Sequence, residues 1–184
     1  MANLKLNLPN ALTLLRIFLT PLFVIFMLEH QKGLSLLIFV LAAVSDALDG
    51  LLARLLNQRT VLGSYLDPIA DKLLLMSSFV CLGVLEMLPV WLPVVVISRD
   101  ILIILGLLLF TFESVSFEIR PSGISKITTF LQLMTVLLVL LEGGIFIQRV
   151  LPALYWTTAL FTLASGVHYS YRGLKIYQQA SENR

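Results

Sequence analysis

The sequence predicts an all-α, polytopic membrane protein: six transmembrane helices preceded by a short amino-terminal interfacial segment. Three observations carry this reading. Apolar residues fill 58% of the 184 positions and charged residues 13%, and the mean hydropathy is +0.94. A water-soluble domain is about 45–50% apolar and about 25% charged, so a soluble globule is excluded, and so is a disordered chain. Six apolar runs each approach the roughly 20 residues that cross hydrocarbon, and short polar breaks separate them. Inside a bilayer each segment must satisfy its own backbone hydrogen bonds, which makes helix the economical form. Six spans use the available length, so the chain reads as one domain over residues 1–184. The chemistry must then be built into the bundle.

The elements follow in order. Before Asn10 the chain reads as interfacial, with Pro9 marking a break. Span 1 covers roughly residues 11–29 and stops at Glu29-His30-Gln31-Lys32-Gly33. Span 2, at 34–56, stops at Asn57-Gln58-Arg59-Thr60, and span 3 runs over 65–86 to the Pro89/Pro93 pair. Span 4 occupies 90–112, and the longest polar connection, Glu113 to Gly123, leads to span 5 at 124–141. Glu142-Gly143-Gly144 separates it from span 6 at 150–173. No internal repeat interrupts this plan. The first apolar stretch, Ile17 to Leu28, lacks a small-x-small cleavage site and is followed by further spans, unlike a removable signal. The lone Cys81 sits in an apolar run and rules out an internal disulfide.

Charge distribution sets the expected topology. The formal charge of +2 is too small to imply a nucleic-acid partner. Ten of the 13 Lys and Arg residues fall on the face carrying both termini, or in the helix halves nearest it: Lys5, Arg16, Arg54, Arg59, Lys72, Arg120, Lys126, Arg172, Lys175 and Arg184. Lys32 and Arg149 mark the opposite face, and Arg99 lies within span 4. Positive charge is retained on the cytoplasmic side, so both termini are expected there.

Four carboxylates do not belong in hydrocarbon. Span 2 carries Asp46 and Asp49, and span 3 carries Asp67 and Asp71. An aspartate near a helix centre costs about 2.5–3.5 kcal/mol on insertion scales, so four approach about 10 kcal/mol. At about 100° per residue, Asp46, Asp49, Gly50 and Ala53 share one arc of span 2, flanked by Arg54. Asp67 and Asp71, four apart, share one face of span 3. A short turn between antiparallel spans brings all four to one depth on the cytoplasmic side. Clustered carboxylates repel unless cations neutralise them, and oxygen-only donors suit Mg²⁺, Mn²⁺ or Ca²⁺ rather than zinc. Two metal ions between two carboxylate pairs give the simplest neutral arrangement. The plainer alternative pairs these aspartates with Arg54, Lys72 and Arg99 in structural salt bridges.

Read together, Asp46-Ala47-Leu48-Asp49-Gly50-Leu51-Leu52-Ala53-Arg54, eight residues, Gly63, three residues, Asp67, three residues and Asp71 fill every fixed position of D-x2-D-G-x2-A-R-x8-G-x3-D-x3-D. This resembles the signature of the CDP-alcohol phosphatidyltransferases, whose members have six spans with the motif on the second and third. The resemblance implies transfer of a phosphatidyl group from CDP-diacylglycerol to an acceptor hydroxyl, with release of CMP. It implies that Asp46, Asp49, Asp67 and Asp71 hold two Mg²⁺ or Mn²⁺ ions, and that Asp71 is also the base. Gly50, Ala53, Arg54 and Gly63, with Asp46, would line the CDP site. It further implies an integral protein of a bacterial inner membrane with a cytoplasmic active site, and it leaves room for a homodimer.

The acceptor is read from residues outside the motif. Arg99 lies deep in span 4 beside Asp100, Lys126 opens span 5, and Arg16 follows Asn10-Ala11-Leu12-Thr13 in span 1. A cation pair facing the metal site would suit a phosphorylated small alcohol, whereas a snorkelling Lys126 would carry no such role. Leu8-Pro9-Asn10-Ala11-Leu12-Thr13-Leu14-Leu15-Arg16 and Ser125-Lys126-x-x-Thr129 resemble the phosphatidylglycerophosphate synthase branch, which uses sn-glycerol 3-phosphate. Ser98-Arg99-Asp100 equally resembles the cardiolipin synthases of the same superfamily, which use phosphatidylglycerol. An inositol phosphate is the third acceptor. A cation transporter is the competing class, since buried carboxylates also mark ion pathways, but the paired halves common in transporters are not visible. A structural subunit would not require four carboxylates at one depth. His30 reads as solvated, and His168 with Tyr169, Tyr171 and Arg172 as an aromatic interface belt.

Overall fold

The computed structural model describes residues 8–55, 61–112, 123–141 and 144–182. Among them the fold is all-α, with six helices: α1 (Leu8–Leu28), α2 (Lys32–Leu55), α3 (Val61–Val84), α4 (Trp91–Phe112), α5 (Gly123–Leu140) and α6 (Ile145–Glu182). Five coincide with the expected spans to within a few residues at most ends. The exception is α6, which starts five residues early and runs on past 173. Its 38 residues extend about 57 Å at 1.5 Å per residue, well beyond a hydrocarbon core of about 30 Å. The breaks at Asn57-Gln58-Arg59-Thr60, at Glu142-Gly143 and through most of Glu113 to Gly123 lie outside the described residues, as does the segment before Leu8.

Pro9 does not break the chain as expected. It is the second residue of α1. In a first turn the missing N–H has no intrahelical partner to lose, and the fixed φ already suits helix. Pro21 lies inside α1, and the Thr20 hydroxyl donates to the Arg16 carbonyl at 2.9 Å one turn back.

Among the described residues, three helices are long and apolar enough to cross a membrane by length and composition: α1 over Ala11–Leu28, α5 over Gly123–Leu140, and α6 over Ile145–Gly173. Large apolar side chains are left facing outward all along the helices, among them Phe18, Val84, Phe146, Trp156 and Val167. A surface of that kind is stable against lipid tails, not against water. The protein is therefore read as integral to a membrane.

The helices form two compact units, each described by itself. The first contains α1, α2 and α3 with the end of α5 from Val136. Here α1 packs against both α2 and α3. Phe23 and Phe39 are buried with ring centroids 5.9 Å apart, and Met27, Ala42, Ala70, Leu74, Phe79 and Leu82 are buried in the same unit. The second unit contains α4, α5 through Thr135, and α6. Trp91 and Trp156 meet there with ring centroids 4.9 Å apart. A polar seam joins α5 to α6: Thr128 donates to the Phe161 carbonyl at 3.0 Å, Gln132 to the Thr162 hydroxyl at 3.2 Å, and Thr135 meets Thr158 at 2.8 Å. Lipid offers little hydrophobic reason for helices to associate, so such bonds act as the glue.

Two helices stop at left-handed residues that are not glycine. His30 (φ 59°) follows α1, where the His30 and Gln31 amides donate to the Met27 and Phe26 carbonyls. Glu86 (φ 57°) follows α3 in the same pattern, the Glu86 and Met87 amides donating to the Gly83 and Leu82 carbonyls. Both are Schellman caps built without the usual glycine. A left-handed residue with a Cβ carries strain of about 1–2 kcal/mol. Glu86→Gly is expected to leave the thermal midpoint in detergent unchanged or higher, whereas β-branched Glu86→Val should lower it by several degrees. Equal midpoints for the two variants would show that the cap is not a constraint.

Candidate active site

Three helices deliver charge to one depth. Arg16 lies eight residues in from the start of α1, Asp46 nine residues before the end of α2, and Asp71 ten residues in from the start of α3. At 1.5 Å per residue these positions are about 12–15 Å from the respective helix ends, so antiparallel packing sets them level. The side chains meet there. The Arg16 guanidinium, with no exposed surface, donates from Nη2 to Asp46 Oδ1 at 3.0 Å and from Nη1 to Asp71 Oδ1. One cation thus bridges two carboxylates from two different helices.

The carboxylates are less enclosed than their cation. Asp46 and Asp71 keep 42% and 39% of their side-chain surface exposed, so each can bond Arg16 and still present oxygen to a ligand. Among the described residues no third carboxylate, histidine or cysteine joins them. The side chains of Asp49, Gly50, Ala53, Arg54, Gly63 and Asp67 lie outside the described residues. Their backbone is helical at every one of these positions, so the three- and four-residue spacings on which the shared faces were predicted do apply.

The sequence singles out Arg16 among the basic residues outside the motif, but does not pair it with the aspartates, for which only Arg54, Lys72 and Arg99 are weighed as partners. The available signal was its depth: an arginine in the interior of an apolar helix needs acceptors, and the four aspartates were the nearest supply.

Arg99 solves its burial within the second unit. Its Nη1 donates to Asp100 Oδ1 at 2.7 Å, and its Nη2 donates to the hydroxyls of Ser125 at 2.9 Å and Ser165 at 2.7 Å. The guanidinium carbon also lies 5.6 Å from the centre of the Tyr169 ring, within cation–π range. Gly166 brings α6 close to the Arg99 stem, since a Cβ there would lie 3.5 Å from Arg99 Cγ. The expected Asp100 partner is present, and α4, α5 and α6 are tied together through one side chain. Tyr169, assigned to an interface belt by sequence, helps enclose this guanidinium. Lys126 follows Ser125 directly in the first turns of α5 and is exposed. Arg99 and Lys126 are thus linked through one residue, with different environments.

The family profile of the CDP-alcohol phosphatidyltransferases matches residues 6–164. The chain belongs to this family. Among relatives of this phosphatidyltransferase, the CDP-diacylglycerol–glycerol-3-phosphate 3-phosphatidyltransferase of Bacillus subtilis is 33% identical, over 89% of this chain and 93% of its own length. A probable phosphatidylglycerophosphate synthase of Mycobacterium tuberculosis is 33% identical over 92% of this chain and 82% of its own. Human cardiolipin synthase (CMP-forming) is 32% identical over 94% of this chain, which spans 63% of that protein's length. Family membership puts the chain among transferases of phospholipid biosynthesis, and the cation-transporter alternative falls away.

The Arg99 arrangement generates a stability prediction. Removing one member of a buried pair leaves the other's charge poorly compensated, at up to about 3–5 kcal/mol. Arg99→Ala should therefore lower the unfolding midpoint sharply through Asp100, and Arg99→Met combined with Asp100→Leu should recover a large part of the loss. A double variant no more stable than Arg99→Ala would show that the serine bonds, not the ion pair, carry the energy.

Proposed function

We propose that this protein transfers the phosphatidyl group of CDP-diacylglycerol to the primary hydroxyl of sn-glycerol 3-phosphate and releases CMP. The observation that carries the reading is the convergence of Asp46 and Asp71 on one positive charge within the full family motif. In this reading the chain crosses a bacterial inner membrane six times, with both termini and the active site on the cytoplasmic side.

The residues fit a divalent-metal centre. The donor set is all oxygen, and the two described carboxylates already draw a buried cation between them. Asp46, Asp49, Asp67 and Asp71 would hold two Mg²⁺ or Mn²⁺ ions. When bound, such ions neutralise the diphosphate and stabilise the attacking and leaving oxygens. The protein's own residues do the rest. Arg54 clamps the diphosphate through charge-assisted hydrogen bonds, and Gly50, Ala53 and Gly63 leave room for the nucleotide. Asp71 accepts the proton as the acceptor oxygen attacks the lipid phosphorus. The bond from that phosphorus to the CMP oxygen breaks, and CMP departs with the electron pair.

The acceptor's phosphate is assigned to Lys126 and Arg99 with different shares. Lys126 is exposed near the positive end of α5 and supplies the direct contact. Arg99 has both Nη groups bonded to protein and only Nε without an acceptor among the described residues, so it chiefly positions the turn carrying Lys126. A second reading, transfer to phosphatidylglycerol, is favoured by the 32% identity to human cardiolipin synthase. Closer agreement in length with the Bacillus subtilis relative supports the first.

Purified protein supplied with CDP-diacylglycerol and glycerol 3-phosphate should release CMP, stop in excess EDTA and resume with Mg²⁺ or Mn²⁺. Full turnover in EDTA would remove the metal centre, and turnover with phosphatidylglycerol alone would move the protein to the second reading. Charge-assisted bonds are worth about 1.5–3 kcal/mol, so Lys126→Ala should raise the KM for glycerol 3-phosphate roughly 10- to 100-fold. The KM for CDP-diacylglycerol should hardly change. Equal effects on both substrates would assign Lys126 to the diphosphate.

A further inference from the structure

Arg16 raises a question that the transfer reaction leaves open. A guanidinium with no exposed surface is bonded to two of the carboxylates assigned to metal, and it comes from a helix outside the motif. Charge accounting restricts when it can sit there. Four carboxylates are balanced by two divalent ions, with nothing left over for a further cation. Without the ions the same carboxylates would repel one another in a low-dielectric bundle, and a guanidinium relieves the pair it touches. The donors of Arg16 take one oxygen of Asp46 and one of Asp71, so it shares with any bound metal the charge of two carboxylates assigned to that metal. Like charge disfavours both cations together at this range.

We propose that Arg16 is a built-in counter-ion of the carboxylate site: it bridges Asp46 and Asp71 in the metal-free protein and is displaced as divalent ions bind. The inference rests on the metal reading above. Loading is then an exchange of one cation for others. Arg16 holds α1 to α2 and α3 while the site is empty of metal, and it weakens the apparent affinity for metal by occupying the site. A positioning arginine that stays bonded in the loaded site would do the reverse, since its loss would loosen the ligands and weaken metal binding.

The two cases differ in sign, and activity is not needed to tell them apart. Full-length protein in detergent, as wild type, Arg16→Gln and Arg16→Lys, would be melted in EDTA and in Mn²⁺, with Mn²⁺ affinity measured by the paramagnetic resonance signal of the free ion. Exchange predicts that Arg16→Gln melts several degrees lower than wild type in EDTA. It also predicts a larger rise with Mn²⁺ and binding tighter by about ten-fold, the weight of one charge-assisted bond. Arg16→Lys keeps the charge but loses the two-pronged grip, so it should fall between the two, and it carries the comparison if the glutamine variant does not survive purification. Unchanged or weaker Mn²⁺ binding in the variants, with wild type binding normally, would overturn the exchange and leave the metal reading standing. Wild type that binds no Mn²⁺ would overturn both.

Discussion

The Arg16 bridge is the interaction on which the first unit depends. A guanidinium inside a bundle of apolar helices is expensive unless every direction it points finds an acceptor, and an aspartate there is expensive for the converse reason. Placing Arg16 on α1, Asp46 on α2 and Asp71 on α3 converts three separate costs into one shared arrangement. It also constrains the packing. The bridge forms only if the three helices are in register along their axes, and their positions from the helix ends agree to within about 3 Å. The apolar contacts of Phe23, Phe39 and Leu82 then follow from a register that the charges demand.

The second unit meets the same constraint by other means. Arg99 takes its carboxylate from the adjacent residue and its remaining acceptors from serines on α5 and α6. The threonine and glutamine bonds of the α5–α6 seam extend the pattern. Leucine against leucine is worth little more than leucine against a lipid tail, so specificity of helix association in a membrane comes from buried polar pairs. The two units differ in exposure. Asp46 and Asp71 remain partly open, whereas Asp100 is fully enclosed. A carboxylate meant for a ligand has to stay reachable, and one meant for a partner side chain does not.

Much of this was legible in the residues. Hydropathy located the helices because a membrane segment must be apolar along most of its length, a signal that needs no tertiary context. The motif marked Asp46 and Asp71, and the structure brings these two onto one guanidinium. What escaped was of a different kind. Arg16 is separated from Asp46 by 30 residues and from Asp71 by 55, and no periodicity links positions on different helices. The caps at His30 and Glu86 were missed because a left-handed stop is usually advertised by glycine, and neither site has one. Pro9 misled because proline halts a helix from within yet is welcome in its first turn. Asp100 was anticipated as the partner of Arg99, since adjacency in sequence is visible without a fold.

In the proposed reading the donor chemistry rests on the aspartate motif and the acceptor choice on residues outside it. Relatives named for glycerol 3-phosphate and for cardiolipin synthesis match the chain at 33% and 32% identity, so overall similarity does not separate the acceptors. The aspartate motif cannot separate them either, because a cytidine diphosphate lipid presents the same charged group whatever hydroxyl attacks it. Discrimination must arise where the acceptors differ. Glycerol 3-phosphate is a small monoester of nearly two negative charges arriving from water, while phosphatidylglycerol is a singly charged diester held at the lipid surface. In the proposed reading, the exposed ammonium at the head of α5 favours the more highly charged acceptor, and does so more strongly at low salt than at high. The buried Arg99–Asp100 pair is neutral in sum, and in that reading contributes chiefly by holding Ser125, next to Lys126. Acceptor preference in the proposed reading is a property of one lysine's surroundings, with the buried Arg99–Asp100 pair acting chiefly through the turn that carries it.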